Sequence, residues 1–571
     1  METKALQKMD VTSLKAVLSE LRQTILPSRF ETAQQPEPGT IQLGLRTLKG
    51  LTWLEISWHA DAPRLVQISP PSRIGTESTL AKQIKYGLSQ MALIEIKQNG
   101  FERIVEFCLA SRPGSPIQKV LLIELMGRHS NLLLLDHQKK VITIGKQIRN
   151  HQSRIRPIGT GDTYSSPPTL EGIAPDSEEP FESWKNRLCL IPYSLKQALQ
   201  KTYQGISPSL ALQLANDEID LARKFLELPV LEISPTHWHH LYKRWCQWVK
   251  AFETENLNIY LEGPTAFRAW STKSALSDKN NSISLILGKY YREYLSTTKL
   301  NQLILDIQKK LSKLKETQEK YLSEQEYLLL KTPKSNALRK EADELLCLPS
   351  PSREVINKAQ KLYRQAKKAK RSLPLIESRI CYHKQRLESI QESTLFLDEL
   401  RTNQWEDISK RLEGLIELKQ ELDELNKQST NQNHKHSQNH LTSLKNQVSK
   451  PLTIKSPNGL EIQVGRNHRQ NEWISFRKSR AGDIWFHVQE CPGSHVILKA
   501  STGIAEEKDI QMAANLAAFF SKAKGNKRVP VLMVATNHLQ RIPGAAPGAV
   551  QFRKSEICWG EPSKGMQHIN T

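Results

Sequence analysis

The chain has 571 residues and carries 81 Lys and Arg against 59 Asp and Glu, a formal net charge of +22. That length exceeds what one hydrophobic core supports, so several domains are expected. The charge points to a polyanionic partner, since each cation that meets a phosphate releases a condensed counterion, but charge alone does not separate RNA, DNA and a lipid surface. The seven cysteines (Cys108, Cys189, Cys246, Cys347, Cys381, Cys491 and Cys558) lie scattered, with no CxxC pair. That usage predicts reduced thiols and a cytoplasmic protein. The opening METKALQKMD lacks an apolar signal core, and no apolar run approaches the roughly 20 residues of a membrane span. No membrane association is therefore expected.

In chain order, Met9–Ile25 reads as a helix, with Asp10 at the N-cap and Leu14, Val17, Leu18 and Leu21 on one face. Strands are predicted at Ile41–Leu45, Trp53–Ser57, Leu65–Ile68, Ile94–Gln98, Ile104–Leu109, Lys119–Leu125, Asn131–Asp136 and Val141–Ile144, with a helix at Leu80–Ser89 among them. Pro36–Gly39 and Arg112–Pro116 are turns. This first part is a mixed α+β domain. From Ser183 to Leu261 the period is helical. Within it, Leu195–Leu214 places Gly205-Ile206-Ser207-Pro208 between two helices. That is an ordinary helical hairpin, or a helix-hairpin-helix whose second N-terminus offers backbone N–H groups to a phosphate. His237, His239 and His240 fall in a Trp-rich helix as packing or surface residues.

From Leu300 the apolar spacing becomes 3-4-3-4, through Ile304, Ile307, Leu311 and Leu314. A second such run passes through Ala359, Leu362, Ala366, Ala369, Leu373 and Ile376 to Ile390. Two arms joined by a short Pro-containing connector, Thr332–Pro351, predict an antiparallel coiled coil. Pro374 should kink the second arm. The basic stretch Lys358–Arg371 is either a solvated face or a rail for RNA. Gln428–Gln447 reads as a polar linker, and its His434, His436 and His440 lack the Cys or carboxylate partners of a metal site.

The last block, Leu452–Trp559, is α+β again. Strands are expected at Glu461–Val464, Ile474–Arg477, Asp483–Val488, His495–Lys499 and Val531–Thr536, and a helix at Ala505–Lys522. Strand alternation places Asp483, Trp485 and His487 on one face. Pro492-Gly493 turns the chain so that Ser494 and His495 return nearby. Such a set can serve acid–base chemistry, or grip phosphates and stack on bases as RNA-binding sheets do. No activated nucleophile and no metal cluster is recognisable, so a binding surface is the better reading, with no cofactor.

Gly465-Arg466-Asn467-His468-Arg469-Gln470-Asn471, Asp483-Ile484-Trp485-Phe486-His487-Val488 and Pro492-Gly493-Ser494-His495-Val496 closely resemble the C-terminal RNA-binding domain of the NFACT family. Glu124-Leu125-Met126-Gly127-Arg128-His129-Ser130-Asn131 resembles that family's N-terminal signature. Glu102-Arg103 lies where the family has an Asp-Arg pair, so the carboxylate here sits one methylene further out. Gly161, Tyr164, Pro167 and Pro168 fit the end of the same domain.

The resemblance implies a multidomain α+β protein: an N-terminal domain contacting tRNA (1–175), a helix-hairpin-helix domain (183–262), coiled-coil arms (285–427), a linker (428–450) and a small RNA-binding domain (451–571). It further implies a non-enzymatic, monomeric factor of ribosome quality control. Such a factor binds a large ribosomal subunit that holds stalled peptidyl-tRNA, through rRNA and the stalk-base protein. It recruits tRNA, expected to be alanyl-tRNA, and directs alanine tailing without mRNA. The candidate RNA-contacting residues are Asp10, Glu102, Arg103, Arg128, His129, Gly205 and Ser207 toward the N-terminus. Toward the C-terminus they are Arg466, Asn467, Asp483, Trp485, His487, Ser494 and His495. The residues alone leave two other classes open: a glycosylase-like repair enzyme and a fibronectin-binding surface adhesin.

Overall fold

A computed structural model describes residues 6–74, 77–149, 151, 156–262, 266–270, 282–332, 335–347, 349, 352–402, 406–430, 450–542 and 548–570. The chain divides into two compact units, Met1–Leu295 and Ser296–Thr571. Its architecture is multidomain α+β, as expected.

In the first unit, α1 (Val11–Thr24) opens where expected. Asp10 caps it by accepting from the Ser13 N–H at 2.9 Å, while the Ser13 hydroxyl accepts from the Asp10 N–H. This reciprocal cap satisfies two end groups that a buried helix start would otherwise orphan. Nine antiparallel strands follow: β1 (Ser28–Glu37), β2 (Thr40–Thr47), β3 (Gly50–Ser57), β4 (Arg64–Ile68), β5 (Ala92–Gln98), β6 (Ile104–Ala110), β7 (Lys119–Glu124), β8 (Asn131–Asp136) and β9 (Val141–Ile144). They form one sheet of order β4-β3-β2-β1-β5-β6-β7-β8-β9, with α2 (Thr79–Leu88) inserted between β4 and β5. The sequence pattern missed the strand Ser28–Glu37, whose polar run SRFETAQQPE is half exposed.

Helices α3 (Phe181–Cys189), α4 (Leu195–Thr202), α5 (Pro208–Ala215), α6 (Ile219–Glu227) and α7 (Pro235–Glu253) make the helical part. The expected helical hairpin is α4 and α5. Its core is aromatic: Trp184, Trp245 and Trp248 are fully buried and neighbour one another at 5.3–5.8 Å. This cluster is continuous with the core under the sheet, reaching Leu14, Val17, Leu18 and Leu21 of α1. A two-stranded ribbon, β10 (Tyr260–Leu261) and β11 (Phe267–Arg268), closes the unit.

Helix α8 (Ile283–Lys331) carries the chain into the second unit. There it packs against α10 (Arg353–Thr402) and α11 (Ile408–Thr430): Leu300, Ile304, Ile307 and Leu311 share a core with Ile390, Leu397, Leu400, Leu415 and Leu418. The His383 imidazole meets Gln318 at 2.8 Å, whereas Ile304, Ile307 and Leu311 pack with Ile390, Leu397 and Leu400, so residue numbers fall on one arm as they rise on the other. This is the antiparallel coiled coil. Helix α10 runs unbroken through Pro374. The connector holds a further helix, α9 (Ser335–Leu346), which folds back on α10 through Ala342, Ala359 and Leu362. Residues 431–449, with His434, His436 and His440 of the predicted linker, lie outside the described residues.

The terminal domain has a six-stranded sheet of order β12-β13-β15-β14-β16-β19, with β12 (Leu452–Lys455), β13 (Glu461–Gly465), β14 (Ile484–Val488), β15 (His495–Leu498), β16 (Val529–Ala535) and β19 (Glu556–Gly560). A small ribbon, β17 (Leu539–Arg541) with β18 (Val550–Phe552), lies apart. Helices α13 (Glu507–Phe519) and α14 (Pro562–Asn570) complete the domain, and α13 covers one sheet face with Met512, Leu516 and a run of alanines. The predicted strand Ile474–Arg477 is instead helical. Asn467 caps α12 (His468–Trp473) by accepting from the Gln470 N–H at 2.8 Å, and the coil continues as a wider turn through Lys478. Ile474 and Phe476 mimic strand alternation because that wider turn brings both against Trp485 and Ile497.

Candidate nucleic-acid interface

In the first unit the two N-terminal motifs meet at one end of the sheet. Ile104 pairs with Glu124 across β6 and β7, and the Leu125 N–H donates to the Arg103 carbonyl at 2.9 Å. Arg103 therefore lies beside the turn that presents Arg128 and His129, both exposed. Glu124 is not part of that surface. It is 1% exposed and takes Arg156 at 2.6 Å and the Tyr164 hydroxyl at 2.9 Å, which ties the signature to the domain's end.

Phe101, next to Glu102, stacks on Phe252 of α7 with ring centroids 4.6 Å apart. Gly205 faces it: at φ +77° a Cβ there would lie 2.8 Å from the Phe101 ring and 3.0 Å from Val11. Glycine is thus required both by the backbone angle and by the close approach. Ser207 caps α5 by accepting from the Leu210 N–H at 2.9 Å and donates to Asp10 at 2.6 Å. Ser209, not singled out in the sequence, lies 2.9 Å from the Ser207 hydroxyl. The hairpin turn, the start of α1 and the Glu102-Arg103 motif thus form one cluster. Asp10 and Ser207 hold it together as capping and packing groups.

Arg103 is half-buried. Burial lowers the pKa of its guanidinium, and the Asp10 and Glu102 carboxylates only partly offset this. Among the described residues no ion pair joins Glu102 to Arg103. The guanidinium is a fork donor held at the edge of the fold. Lys8, absent from the sequence-based candidates, is exposed and donates to the Ala60 carbonyl at 3.4 Å. The same carbonyl is 3.8 Å from a Cβ built on Gly127, so Lys8 adds a cation near Arg128.

In the second unit the C-terminal motif is mostly buried, where the sequence reading expected an open surface. Asp483 is fully buried, accepting from Lys499 at 3.0 Å, the Arg480 N–H at 2.8 Å and the Ser501 hydroxyl at 2.6 Å. Burial opposes its ionisation, but the bonds from Ser501, Arg480 and Lys499 outweigh that and hold the carboxyl below its usual range. Arg466, 7% exposed in its side chain, meets Glu406 at 2.9 Å and Glu399 at 3.2 Å. Asn467 caps α12. Ser494 is 7% exposed and donates its N–H to the Phe520 carbonyl. His495 is 6% exposed and meets the Ser475 hydroxyl at 2.8 Å. Trp485 is 2% exposed, and only His487 of this set is half-buried. The dense polar set reads as RNA-facing in sequence because these residue types grip nucleic acid. In the fold their donors and acceptors largely answer one another.

The exposed cations lie elsewhere. On α10, Ala359, Leu362, Ala366 and Ala369 are buried, while Lys358, Lys361, Arg364, Lys367, Lys368, Lys370 and Arg371 are all exposed. No acidic residue falls within 358–371. Among the described residues no group of three or more His, Cys, Asp or Glu is placed to hold a metal ion, and no helix is long and apolar enough to cross a membrane.

Comparison with known proteins places this geometry. The family model of NFACT N-terminal and middle domains matches residues 10–350, and that of the NFACT protein RNA binding domain matches residues 450–554. Curated relatives include Rqc2 homolog RqcH of Bacillus subtilis (strain 168), 26% identical over 95% of this chain and 96% of the relative. RqcH of Streptococcus suis (strain 05ZYH33) is 25% identical over 94% of each. Among solved structures, the C-terminal part of the fibronectin/fibrinogen-binding protein from Streptococcus suis aligns at 22% identity and a TM-score of 0.38, over 48% of this chain and 97% of that one. With one family model spanning more than half of its length and a second covering its terminal domain, the chain belongs to the NFACT family.

Proposed function

We propose that this protein is a ribosome quality-control factor that binds RNA on a large ribosomal subunit still holding peptidyl-tRNA. In this reading it recruits alanyl-tRNA and directs alanine tailing of the stalled chain, while the ribosome performs the peptide-bond chemistry. The N-terminal part (1–175) and the hairpin domain (183–262) contact tRNA, the arms (285–427) reach toward the stalk base, and the terminal domain (451–571) contacts RNA. The protein acts as a monomer in the cytoplasm.

The observation that carries the reading is end-to-end alignment with proteins named as Rqc2 homologues, under family models for both halves. The net charge of +22 and the exposed basic face of α10 support it, because contact with a phosphate backbone is the largest sequence-independent term in binding nucleic acid. Arg103, Arg128 and Lys8 support a tRNA contact at the sheet end, with Arg suited to phosphate or a base edge. The test is co-sedimentation of the full chain with large subunits at physiological salt, with sequencing of crosslinked tRNA. Enrichment of one tRNA is expected. Recovery of no tRNA, or loss of all association on a modest rise in salt, would refute the reading.

A further inference from the structure

The outer face of the terminal sheet, opposite α13, lines a cavity of about 550 Å³ that also borders α10. One wall is aromatic. Trp485 and His487 lie nearly parallel, 5.5 Å apart at 15°, and His495 stands edge-on to both at 5.1 and 5.4 Å. The register aligns His487 with Leu532 and Leu532 with Ile557, so these three side chains form one row across β14, β16 and β19. Two residues along, Trp559 continues the face, and both Ile557 and Trp559 are more than half exposed. The row therefore runs from a buried pocket out to an aromatic platform.

We propose that this cavity is a nucleobase pocket, taking one unpaired base from a single-stranded stretch of RNA. The inference rests on the RNA-binding reading above and names the part of the RNA that this domain takes. Four observations carry it. The volume lies within the range of small-molecule sites and admits a base with its ribose. Trp485 lines the cavity, and among the described residues its buried indole N–H has no hydrogen-bond partner, so a donor is available to an incoming acceptor. Base edges offer such acceptors. The wall contains Glu388, Glu392 and Glu490 and no Lys or Arg, so it rejects phosphate and suits an uncharged heteroaromatic group. Cations instead flank the wall in sequence: Arg541 precedes Ile542, and Arg553 and Lys554 precede Ser555, all three exposed. A strand entering here would leave its backbone among the cations and insert a base between the aromatic row and α10. Burial supports the same ligand by keeping both imidazoles uncharged, with His487 pushed down to about 4 and His495 held well below its usual range, so that the wall carries no imidazolium.

The test uses the full chain and two decamers of single-stranded RNA, one intact and one with a central abasic site. Preference for the intact strand by about tenfold is expected, in keeping with base–aromatic stacking. Trp485→Phe, which keeps an aromatic ring and removes the N–H, should reduce that preference. Ile557→Asp, at the exposed rim, should abolish it. Ile504→Asp makes the same charge change on the same domain at a position 90% exposed and outside the cavity wall, and should leave the preference within twofold. Hydrogen exchange of the β14 and β16 amides should be unchanged in each variant, which separates loss of the pocket from loss of the fold. A central 4-thiouridine should crosslink within residues 485–495 or 550–559. Equal binding of both decamers, crosslinks confined to other segments, or competition by an aromatic dipeptide where uridine monophosphate fails would overturn the pocket while leaving RNA association intact. Absence of RNA binding at physiological salt would overturn the pocket and the functional reading together.

Discussion

Arg466 offers the sharpest test of what the C-terminal motif does. Its guanidinium is buried between Glu406 and Glu399, and Lys524 is the other charge acting on Glu399. Arg466 is the cation that meets both carboxylates. Burial raises Glu399 from 4.5 to about 7, and Arg466 opposes that shift only in part. A carboxyl whose folded pKa is raised holds its proton more tightly folded than unfolded. Its contribution is therefore complete below about pH 4.5 and is lost as the pH rises through 7. The 2.5-unit difference corresponds to about 3 kcal/mol, less the screening that a side chain 19% exposed receives, so about 2 kcal/mol should be lost between pH 5 and pH 8. Glu399→Gln should remove most of that pH dependence and stabilise the domain at pH 8.

Arg466→Met should do the reverse, removing the cation that meets both buried carboxylates. The cost should be about 3–5 kcal/mol at pH 8 and smaller at pH 5, where Glu399 holds its proton. Unfolding of a chain with two compact units is not one transition, so the assay is hydrogen exchange of the β13 and β15 amides across that pH range. Stability that rises from pH 5 to pH 8, or an Arg466→Met effect below about 1 kcal/mol at pH 8, would refute a structural role for this residue.

Changing Lys367, Lys368 and Arg371 to Gln should weaken large-subunit association without changing thermal stability. It should also lower the slope of log affinity against log salt by about 2–3, read from sedimentation at several salt concentrations. Gly205→Ala should destabilise the first unit by about 1–3 kcal/mol, since φ +77° and the Phe101 ring both oppose a Cβ; thermal unfolding measures it. Arg103→Met should leave unfolding of that unit unchanged within about 1 kcal/mol, because burial already disfavours the charge. The same substitution should cut tRNA crosslinking several-fold.

The sequence was most legible where one local rule decides. Asp10 as N-cap, the strands of the nine-stranded sheet from Ile41 onward and the 3-4 seam of the arms follow from capping and periodicity, which need no tertiary information. Three places required it. Ser28–Glu37 is a strand because both β2 and β5 pair with it, although its own residues are polar. Ile474–Arg477 alternates like a strand yet continues the helix that Asn467 starts. The connector between the arms holds a helix because Ala342 and Leu338 find an apolar groove beside Ala359 and Leu362.

The candidate site divides along the same line. Residue type and spacing brought Arg466, Asn467, Asp483, Trp485 and His495 to notice, but whether such groups face solvent is decided by what packs over them. Glu399 and Glu406 supply counter-charge from stretches 60 and more residues away, and nothing in the motif itself signals that. Arg103 and Arg128 show the opposite case. Their motifs are 25 residues apart in sequence and are joined by one strand pair, β6 with β7, so the sheet makes them neighbours at an exposed end. A motif rich in RNA-binding residue types therefore yields two kinds of structure here. In the terminal domain most of its polar groups are buried against one another and frame an aromatic cavity whose wall holds no Lys or Arg. At the N-terminal sheet end and along α10 the cations remain uncovered. Base recognition and phosphate attraction then fall to different parts of the chain, and the two can be separated by experiment: salt should act on Arg128 and the Lys358–Arg371 face, while abasic substitution should act on Trp485 and Ile557.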